Sequence, residues 1–303
     1  MRRSDFLKSG LLALGGTWFP LRAVSARAYD SRTTVTVLYS NDTHSRVDPF
    51  PENATRNAGK GGMLRRAELI RRIRRDSPDT ILLDAGDLLH GTSWFQLYGG
   101  RVEMELMDRM NYDAMCLGEH DLIRGVEAFA DLAHNVSLPI LCANYRFTGT
   151  PLASRVEPYR VISRGGLKFG VFGLGVRYFD YISDDLTEGL RYANPVFWAE
   201  RLVRHLRDGH RCDYIICLSH LGHDPLSDRV DDTDLAQQVD GIDLIIGGHT
   251  HTFMERPKVF QRESGSRTLI TQAGHSGLRL GRIDLVVSGD GRIEERIPAP
   301  YSV

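Results

Sequence analysis

The sequence predicts an α/β fold in which strands and helices alternate. Residues 214–218 and 242–246 are apolar runs of strand length, and residues 234–239 between them have the acidic start of a helix. A strand, a helix and a strand in this order form a crossover that leaves the two strands parallel. Each apolar run ends in a glycine-bearing turn with histidines, at 219–223 and 247–251. Both turns are therefore expected at the same carboxyl edge of one sheet.

The rest of the chain continues this pattern. Apolar or β-branched runs predict strands at residues 34–40, 80–83, 114–117, 138–143, 167–175, 268–272 and 281–287. Apolar spacing near the helical period predicts helices at residues 63–75, 101–110 and 196–206. The acidic stretch 178–190 is interpreted as irregular and without chemistry. The pattern indicates one domain rather than two.

The charge distribution separates the first 28 residues from the rest. They carry five Lys or Arg and one Asp, whereas the net charge of all 303 residues is −1, so the remainder is at −5. An arginine pair, a short apolar stretch and small residues near position 28 are typical of an export signal. We therefore expect a signal peptide at residues 1–28 and a periplasmic or secreted domain at 29–303. The acidic remainder excludes a generally basic nucleic-acid binder, and no later apolar run is long enough to be a stable membrane anchor.

Five turns that follow predicted strands carry side chains that bind metal ions. The candidate ligands are Asp42, His44, Asp87, Glu119, His220, His249 and His251. They are expected to meet, because the carboxyl ends of parallel strands converge. Carboxylates mixed with imidazoles suit Zn²⁺, Mn²⁺ or Fe²⁺ rather than Ca²⁺. Because these ligands exceed what one ion needs, we predict two ions that share Asp87 and lie about 3.5–4 Å apart, a spacing that clamps a phosphoryl group.

The remaining histidines are assigned less specific roles. His223 and His275 are either cleft residues or incidental turn residues, and the sequence does not decide between the two. His90, His134, His205 and His210 are interpreted as bystanders.

The order of the motifs D-x-H, G-D, G-E-H-D, S-H-x-G and G-G-H-x-H resembles the calcineurin-like metallophosphoesterase superfamily. It is more closely similar to the catalytic amino-terminal domain of bacterial periplasmic 5′-nucleotidases and UDP-sugar hydrolases, from about residue 34 to residue 287. The resemblance implies a four-layer α-β-β-α sandwich of two mixed sheets flanked by helices. It also implies one metal held by Asp42, His44, Asp87 and His251, and another held by Asp87, Glu119, His220 and His249.

The same resemblance implies catalytic roles for His120 and Asp121. His120 matches the histidine that approaches the substrate phosphate and stabilises or protonates the departing oxygen. The aspartate that commonly orients this histidine is replaced by Ile123, which leaves Asp121 as the candidate orienter. Glu119 stands where a neutral asparagine is usual, and its extra charge would repel a phosphate.

The implied function is a secreted, 5′-nucleotidase-like phosphoesterase that uses two divalent ions. It would hydrolyse phosphate esters, nucleotides among them, by in-line attack of metal-bound hydroxide. The similar enzymes continue into a carboxyl-terminal domain, for which we expect no counterpart here after Val303. This difference and Glu119 motivate the alternative, a weakly active or inactive metal-binding subunit that pairs with a separate substrate-binding chain.

Overall fold

The computed structural model describes residues 33–224 and 229–303. The expected signal peptide at residues 1–28 lies outside these ranges. Within them, no helix has both the length and the apolar character needed to cross a membrane.

Strands and helices alternate along the described chain. The helices are α1 (Met63–Asp76), α2 (Ser93–Tyr98), α3 (Arg101–Arg109), α4 (Val126–His134), α5 (Pro195–Arg204) and α6 (Asp232–Gln238), and a π-helical turn (His205–Gly209) follows α5. The strands are β1 (Thr34–Ser40), β2 (Thr80–Asp84), β3 (Ala114–Cys116), β4 (Ile140–Leu141), β5 (Tyr145–Arg146), β6 (Val156–Glu157), β7 (Tyr159–Arg164), β8 (Leu167–Gly175), β9 (Arg191–Tyr192), β10 (Tyr214–His220), β11 (Leu244–Gly247), β12 (Lys258–Gln261), β13 (Arg267–Thr271), β14 (Arg279–Val287), β15 (Ile293–Arg296) and β16 (Tyr301–Ser302).

Two large mixed sheets confirm the predicted fold class. The first has the strand order β15-β14-β1-β2-β3-β4-β6, with β16 paired to β14. Its strands β1, β2, β3, β4 and β6 are mutually parallel, whereas β14 runs antiparallel to β1. The second has the order β12-β13-β11-β10-β8-β7, parallel in the middle and antiparallel at both edges. The strands β5 and β9 form a small separate ribbon.

The apolar side chains divide these sheets into four layers. One apolar cluster joins the facing sides of the two sheets, a second joins the first sheet to α1, α3 and α4, and a third joins the second sheet to α5 and α6. β1 illustrates the alternation, since Val35, Val37 and Tyr39 lie between the sheets while Leu38 faces the helices. This arrangement is the expected α-β-β-α sandwich.

The strand predicted at 138–143 is shorter than expected. β4 retains only Ile140 and Leu141, because the chain then leaves the first sheet and the Ala143 N–H donates to Gly173 O of β8, 2.8 Å away. The Asn144 side chain extends this link by pairing with both backbone groups of Gly175. The segment therefore joins the two sheets instead of extending one of them.

Candidate metal centre

The carboxyl ends of the central parallel strands of both sheets meet at one edge of the sandwich. Ser40 of β1 is in register with Asp84 of β2, and Ser219 of β10 is in register with Gly247 of β11. The Asp42 N–H then donates to Gly86 O across 2.8 Å, which ties together the turns that follow β1 and β2. All seven predicted ligands follow or end strands at this edge, and the structure brings them together.

The first group of potential ligands consists of Asp42, His44 and His251. One donor atom from each residue lies within 4.8 Å of the others. His44 Nε2 is 2.9 Å from His251 Nε2, and His251 Nε2 is 3.4 Å from Asp42 Oδ1. Together with Asp87, these three residues are the ligands that the family resemblance implies for the first metal.

The second group consists of Glu119, His220 and His249. Each oxygen of the Glu119 carboxylate faces one imidazole: Oε1 is 2.9 Å from His249 Nδ1, and Oε2 is 3.1 Å from His220 Nε2. Glu119 and His220 are buried, so the contact between them lies away from bulk water. Together with Asp87, these three residues are the ligands that the family resemblance implies for the second metal.

Asp87 lies between the two groups. Its Oδ2 atom is 3.2 Å from His220 Nε2 of the second group and 3.8 Å from His44 Nε2 of the first. The other oxygen, Oδ1, accepts the backbone N–H of His120 at 2.9 Å, which fixes the carboxylate orientation. A single carboxylate oxygen is thus within reach of both groups, as expected of a bridging ligand.

The backbone of this edge is strained at five potential ligands. Asp42, His44, Asp87, His249 and His251 all have positive φ angles, at 49°, 47°, 55°, 69° and 56°. Side chains other than glycine adopt this left-handed region at a cost, and such residues cluster at functional sites. The surrounding structure therefore holds the backbone of these residues in a conformation that their own φ preferences disfavour.

Two glycines permit the close approach of the turns. A Cβ atom on Gly118 would lie 2.2 Å from Asp87 Oδ1, and one on Gly248 would lie 2.8 Å from both Ala85 O and His220 Nδ1. Any larger residue at either position would displace a potential ligand.

The donor set fits divalent cations. The His220 Nδ1–H donates to Ala85 O at 2.6 Å, which leaves Nε2 as the ring nitrogen that a metal would use, in place of the proton it carries without one. Both His220 Nε2 and Glu119 Oε2 are buried and have no hydrogen-bond partner among the described residues. Unpartnered buried polar atoms are costly, and a cation between them would satisfy both.

The electrostatics of the cluster also favour a bound cation. Burial acts to raise the pKa of Glu119, but His220 and then His249 outweigh it and hold that pKa well below its usual range. Burial likewise opposes the charged form of His220, but Asp87 and Glu119 raise its pKa well above the usual value. Burial, followed by repulsion from Asp87, raises the pKa of Asp121 to about 8. Glu119 is therefore held as a carboxylate despite its burial, which is the form that binds a metal ion.

His120 lies beside the first group of ligands. Its ring centroid is 5.2 Å from that of His44, and it stacks on His90 at 5.0 Å with an interplanar angle of 6°. His120 Nδ1 is buried and has no hydrogen-bond partner in the described chain. His90, which was interpreted as a bystander, therefore contacts the predicted catalytic histidine.

Asp121 does not orient His120. Its carboxylate is buried and accepts three backbone N–H groups, from Gly118 at 2.9 Å, Leu89 at 3.1 Å and Asp87 at 3.2 Å. These bonds use both oxygens, and no hydrogen bond joins Asp121 to the imidazole of His120 within residues 33–224 and 229–303. The contacts of Asp121 do not support the expected role of orienting His120. They instead join the turn after β2 to the turn after β3.

Sequence reasoning missed Tyr181, which lies in the stretch interpreted as free of chemistry. The Tyr181 hydroxyl is 3.1 Å from His249 Nε2, the ring nitrogen opposite the one that faces Glu119. Arg229 donates to the same hydroxyl at 2.7 Å. An aromatic residue in an irregular loop gives no periodic signal, so no pattern in the sequence could have placed it here.

The two undecided histidines separate in the structure. The ring of His275 lies 5.1 Å from that of His251, next to the first group. His223 instead pairs with Thr233 through Nδ1 at 3.2 Å and with Lys258 through Nε2 at 2.5 Å. Of these two histidines, only His275 contacts a potential ligand through its ring.

Comparison with known proteins identifies the family. The model of the calcineurin-like phosphoesterase family matches residues 35–253. A 5′-nucleotidase of Bos taurus is 31% identical over 93% of this chain and 50% of its own length, and a snake venom 5′-nucleotidase of Naja atra is 32% identical over 86% of this chain and 51% of its own. The crystal structure of a 5′-nucleotidase precursor from Thermus thermophilus superposes with a TM-score of 0.79, at 27% identity, over 89% of this chain and 54% of that one.

The chain therefore matches these proteins along nearly all of its own length, while it spans about half the length of the curated relatives. The match to the family model covers every strand-end turn up to His251, including all seven potential ligands. Together with the two mixed sheets and the convergent carboxylates and imidazoles, it confirms the resemblance: the chain belongs to the calcineurin-like phosphoesterase family.

Proposed function

We propose that this chain is a two-metal phosphoesterase that hydrolyses small phosphate esters, nucleotides among them. The observation that carries the proposal is the position of Asp87 Oδ2, within 3.2 Å of His220 and 3.8 Å of His44. The nucleotide preference rests on the relatives, which are named 5′-nucleotidases.

The ligand assignment follows the two groups. Asp42, His44 and His251 would hold one ion, Glu119, His220 and His249 would hold the other, and Asp87 would bridge them. When bound, the pair of ions would polarise the phosphoryl oxygens and activate a water molecule as the nucleophile.

His120 would assist departure of the leaving group. Since its Nδ1 atom is buried, Nε2 is the ring nitrogen that can reach a substrate oxygen and deliver a proton to it. Its ring contacts with His90 and His44 would limit how the imidazole turns, in place of a carboxylate orienter.

Asp121 and Tyr181 would act through other residues. The three N–H groups held by Asp121 keep the turns of Asp87 and Glu119 at a fixed separation. Tyr181 would fix the ring of His249 by its contact with Nε2, which leaves Nδ1 for a metal.

The test is turnover of p-nitrophenyl phosphate and AMP by purified protein supplied with Mn²⁺ or Zn²⁺. Asp87→Ala should abolish turnover and lower the bound metal measured by mass spectrometry. Asp290→Ala, which alters an exposed turn acid, is the matched control and should change neither. Full activity of Asp87→Ala would contradict the proposal. Absence of turnover in wild-type protein that holds two metal equivalents would favour the alternative of an inactive subunit with a separate substrate-binding chain.

We further propose that residues 1–28 direct export, so that the protein acts in the periplasm or outside the cell. The cleaved amino terminus of protein recovered from the exported fraction should lie near residue 29. Recovery of the intact chain only from the cytoplasmic fraction would contradict export.

A further inference from the structure

Three side chains that are not part of the metal centre converge on the outer side of the second sheet. Tyr159 begins the edge strand β7, and His205 and His210 bound the π-helical turn that follows α5. The Tyr159 hydroxyl is 2.9 Å from His205 Nε2 and 3.1 Å from His210 Nε2, and the two nitrogens are 3.2 Å apart. Sequence reasoning interpreted both histidines as bystanders and did not anticipate these contacts.

The π-helical turn is what brings the two imidazoles together. Residues five apart on an α-helix point about 140° away from each other, given 3.6 residues per turn. Here the His210 N–H donates to His205 O, five residues back, at 3.2 Å. The wider turn therefore places both rings on one side, and such turns occur frequently at functional sites.

The triangle formed by the three atoms has the dimensions of a metal coordination shell. Ligands about 2.0–2.1 Å from a tetrahedral zinc ion are about 3.3 Å from one another. The observed edges of 2.9, 3.1 and 3.2 Å are close to this value. Two imidazole nitrogens this close compete for a single proton, whereas one cation satisfies both lone pairs.

The three side chains are reachable from solvent on the His205 side. His205 is exposed, so the ion and its water ligands can enter from solvent, while Tyr159 and His210 are half-buried. Tyr159 packs against the apolar core, which holds its ring in place. The guanidinium of Arg207, in the same turn, is engaged by Asp243 and by the carbonyl oxygens of neighbouring residues.

We propose that Tyr159, His205 and His210 bind one zinc ion, separate from the phosphoesterase centre. Two imidazoles suit a borderline divalent ion, the Tyr159 oxygen would join them after releasing its proton to solvent, and water would complete the shell. The ion would link the edge strand β7 to the end of α5. The site is independent of the proposed function, because none of its residues belongs to the two ligand groups described above.

The test is equilibrium dialysis of the full chain against Zn²⁺, with bound zinc measured by mass spectrometry. His205→Ala should bind one equivalent less than the wild type, and Tyr159→Phe should bind that equivalent more weakly. His134→Ala removes another exposed imidazole, whose Nε2 atom lies 3.3 Å from Pro151 O, and should bind as much zinc as the wild type.

Thermal unfolding provides a second readout. Added zinc should raise the Tm of the wild type more than that of His205→Ala, because a ligand of the folded state stabilises it. Equal zinc content and equal Tm shifts in these two proteins would overturn the proposal. Loss of phosphatase activity plays no part in the result, so failure here is distinguishable from failure of the proposed function.

Discussion

Replacement of Gly118 by alanine is expected to damage the metal centre while the chain stays folded. A Cβ atom at this position would lie 2.2 Å from Asp87 Oδ1 and 2.5 Å from Asp87 N. Heavy atoms that are not bonded prefer separations of about 3.5 Å, so the Asp87 carboxylate would have to move by about 1 Å. Ligand distances at a metal site are fixed to within about 0.2 Å. Asp87 could then no longer serve both groups of ligands.

The magnitude of the effect follows from this displacement. A shift of about 1 Å in a catalytic group costs about 10²-fold in rate. The free energy of unfolding should fall by only about 1–3 kcal/mol, which is typical of overpacking. Gly118 does not have a positive φ angle, so alanine adds no backbone strain.

The assay compares kcat/KM for p-nitrophenyl phosphate at saturating Mn²⁺, the bound metal content and urea unfolding. Gly149→Ala is the control, since no atom of the described chain lies within 4 Å of its added Cβ and only its positive φ angle of 86° costs stability. If Gly118→Ala kept both metal equivalents and its activity stayed within about twofold of the wild type, the bridging role of Asp87 would be refuted.

Three further outcomes are expected. Glu119→Asn should preserve or raise kcat/KM at saturating metal, because it removes a negative charge beside the phosphate; a fall of more than about tenfold would give the carboxylate its own role. His120→Ala should lower kcat by about 10²–10⁴ with unchanged metal content, and a loss of bound metal would instead make it a ligand. Burial raises the pKa of Asp243 to about 6, although Arg207 acts to lower it. This pKa exceeds the value of about 3.9 in an unfolded chain, so ionisation of Asp243 at high pH favours the unfolded state. As the pH falls from about 7.5 to about 5, the wild type should therefore gain about 1 kcal/mol of stability relative to Asp243→Asn. Urea titrations that give the same difference at both pH values would contradict that shift.

The position of the site could be predicted from the sequence because it depends on strand order. A strand that ends in a turn with Asp42 and His44, and another that ends in His220, must present these side chains at the carboxyl edge of their sheets. The bounds of β1 and β8 agree with those predicted, since both strands lie in continuous apolar or β-branched runs.

The supporting contacts could not be predicted, because they join segments that are distant in sequence and lack periodicity. Tyr181 reaches His249 from a loop 68 residues away, and Asp121 bonds to backbone groups of a different turn. The partners of a carboxylate depend on the distances between turns, which apolar spacing does not encode. The same reason explains why His90 and His205 were interpreted as bystanders: each contact needs a ring from another part of the chain or an unusual helical turn.

Anomalous scattering at the manganese edge, from crystals of the protein grown with Mn²⁺, tests the central claim most directly. We expect two peaks about 3.5–4 Å apart, one beside Asp42 and His251, the other beside His220 and His249, with the Asp87 carboxylate coordinating both. A single peak, or two peaks of which only one contacts Asp87, would contradict the account.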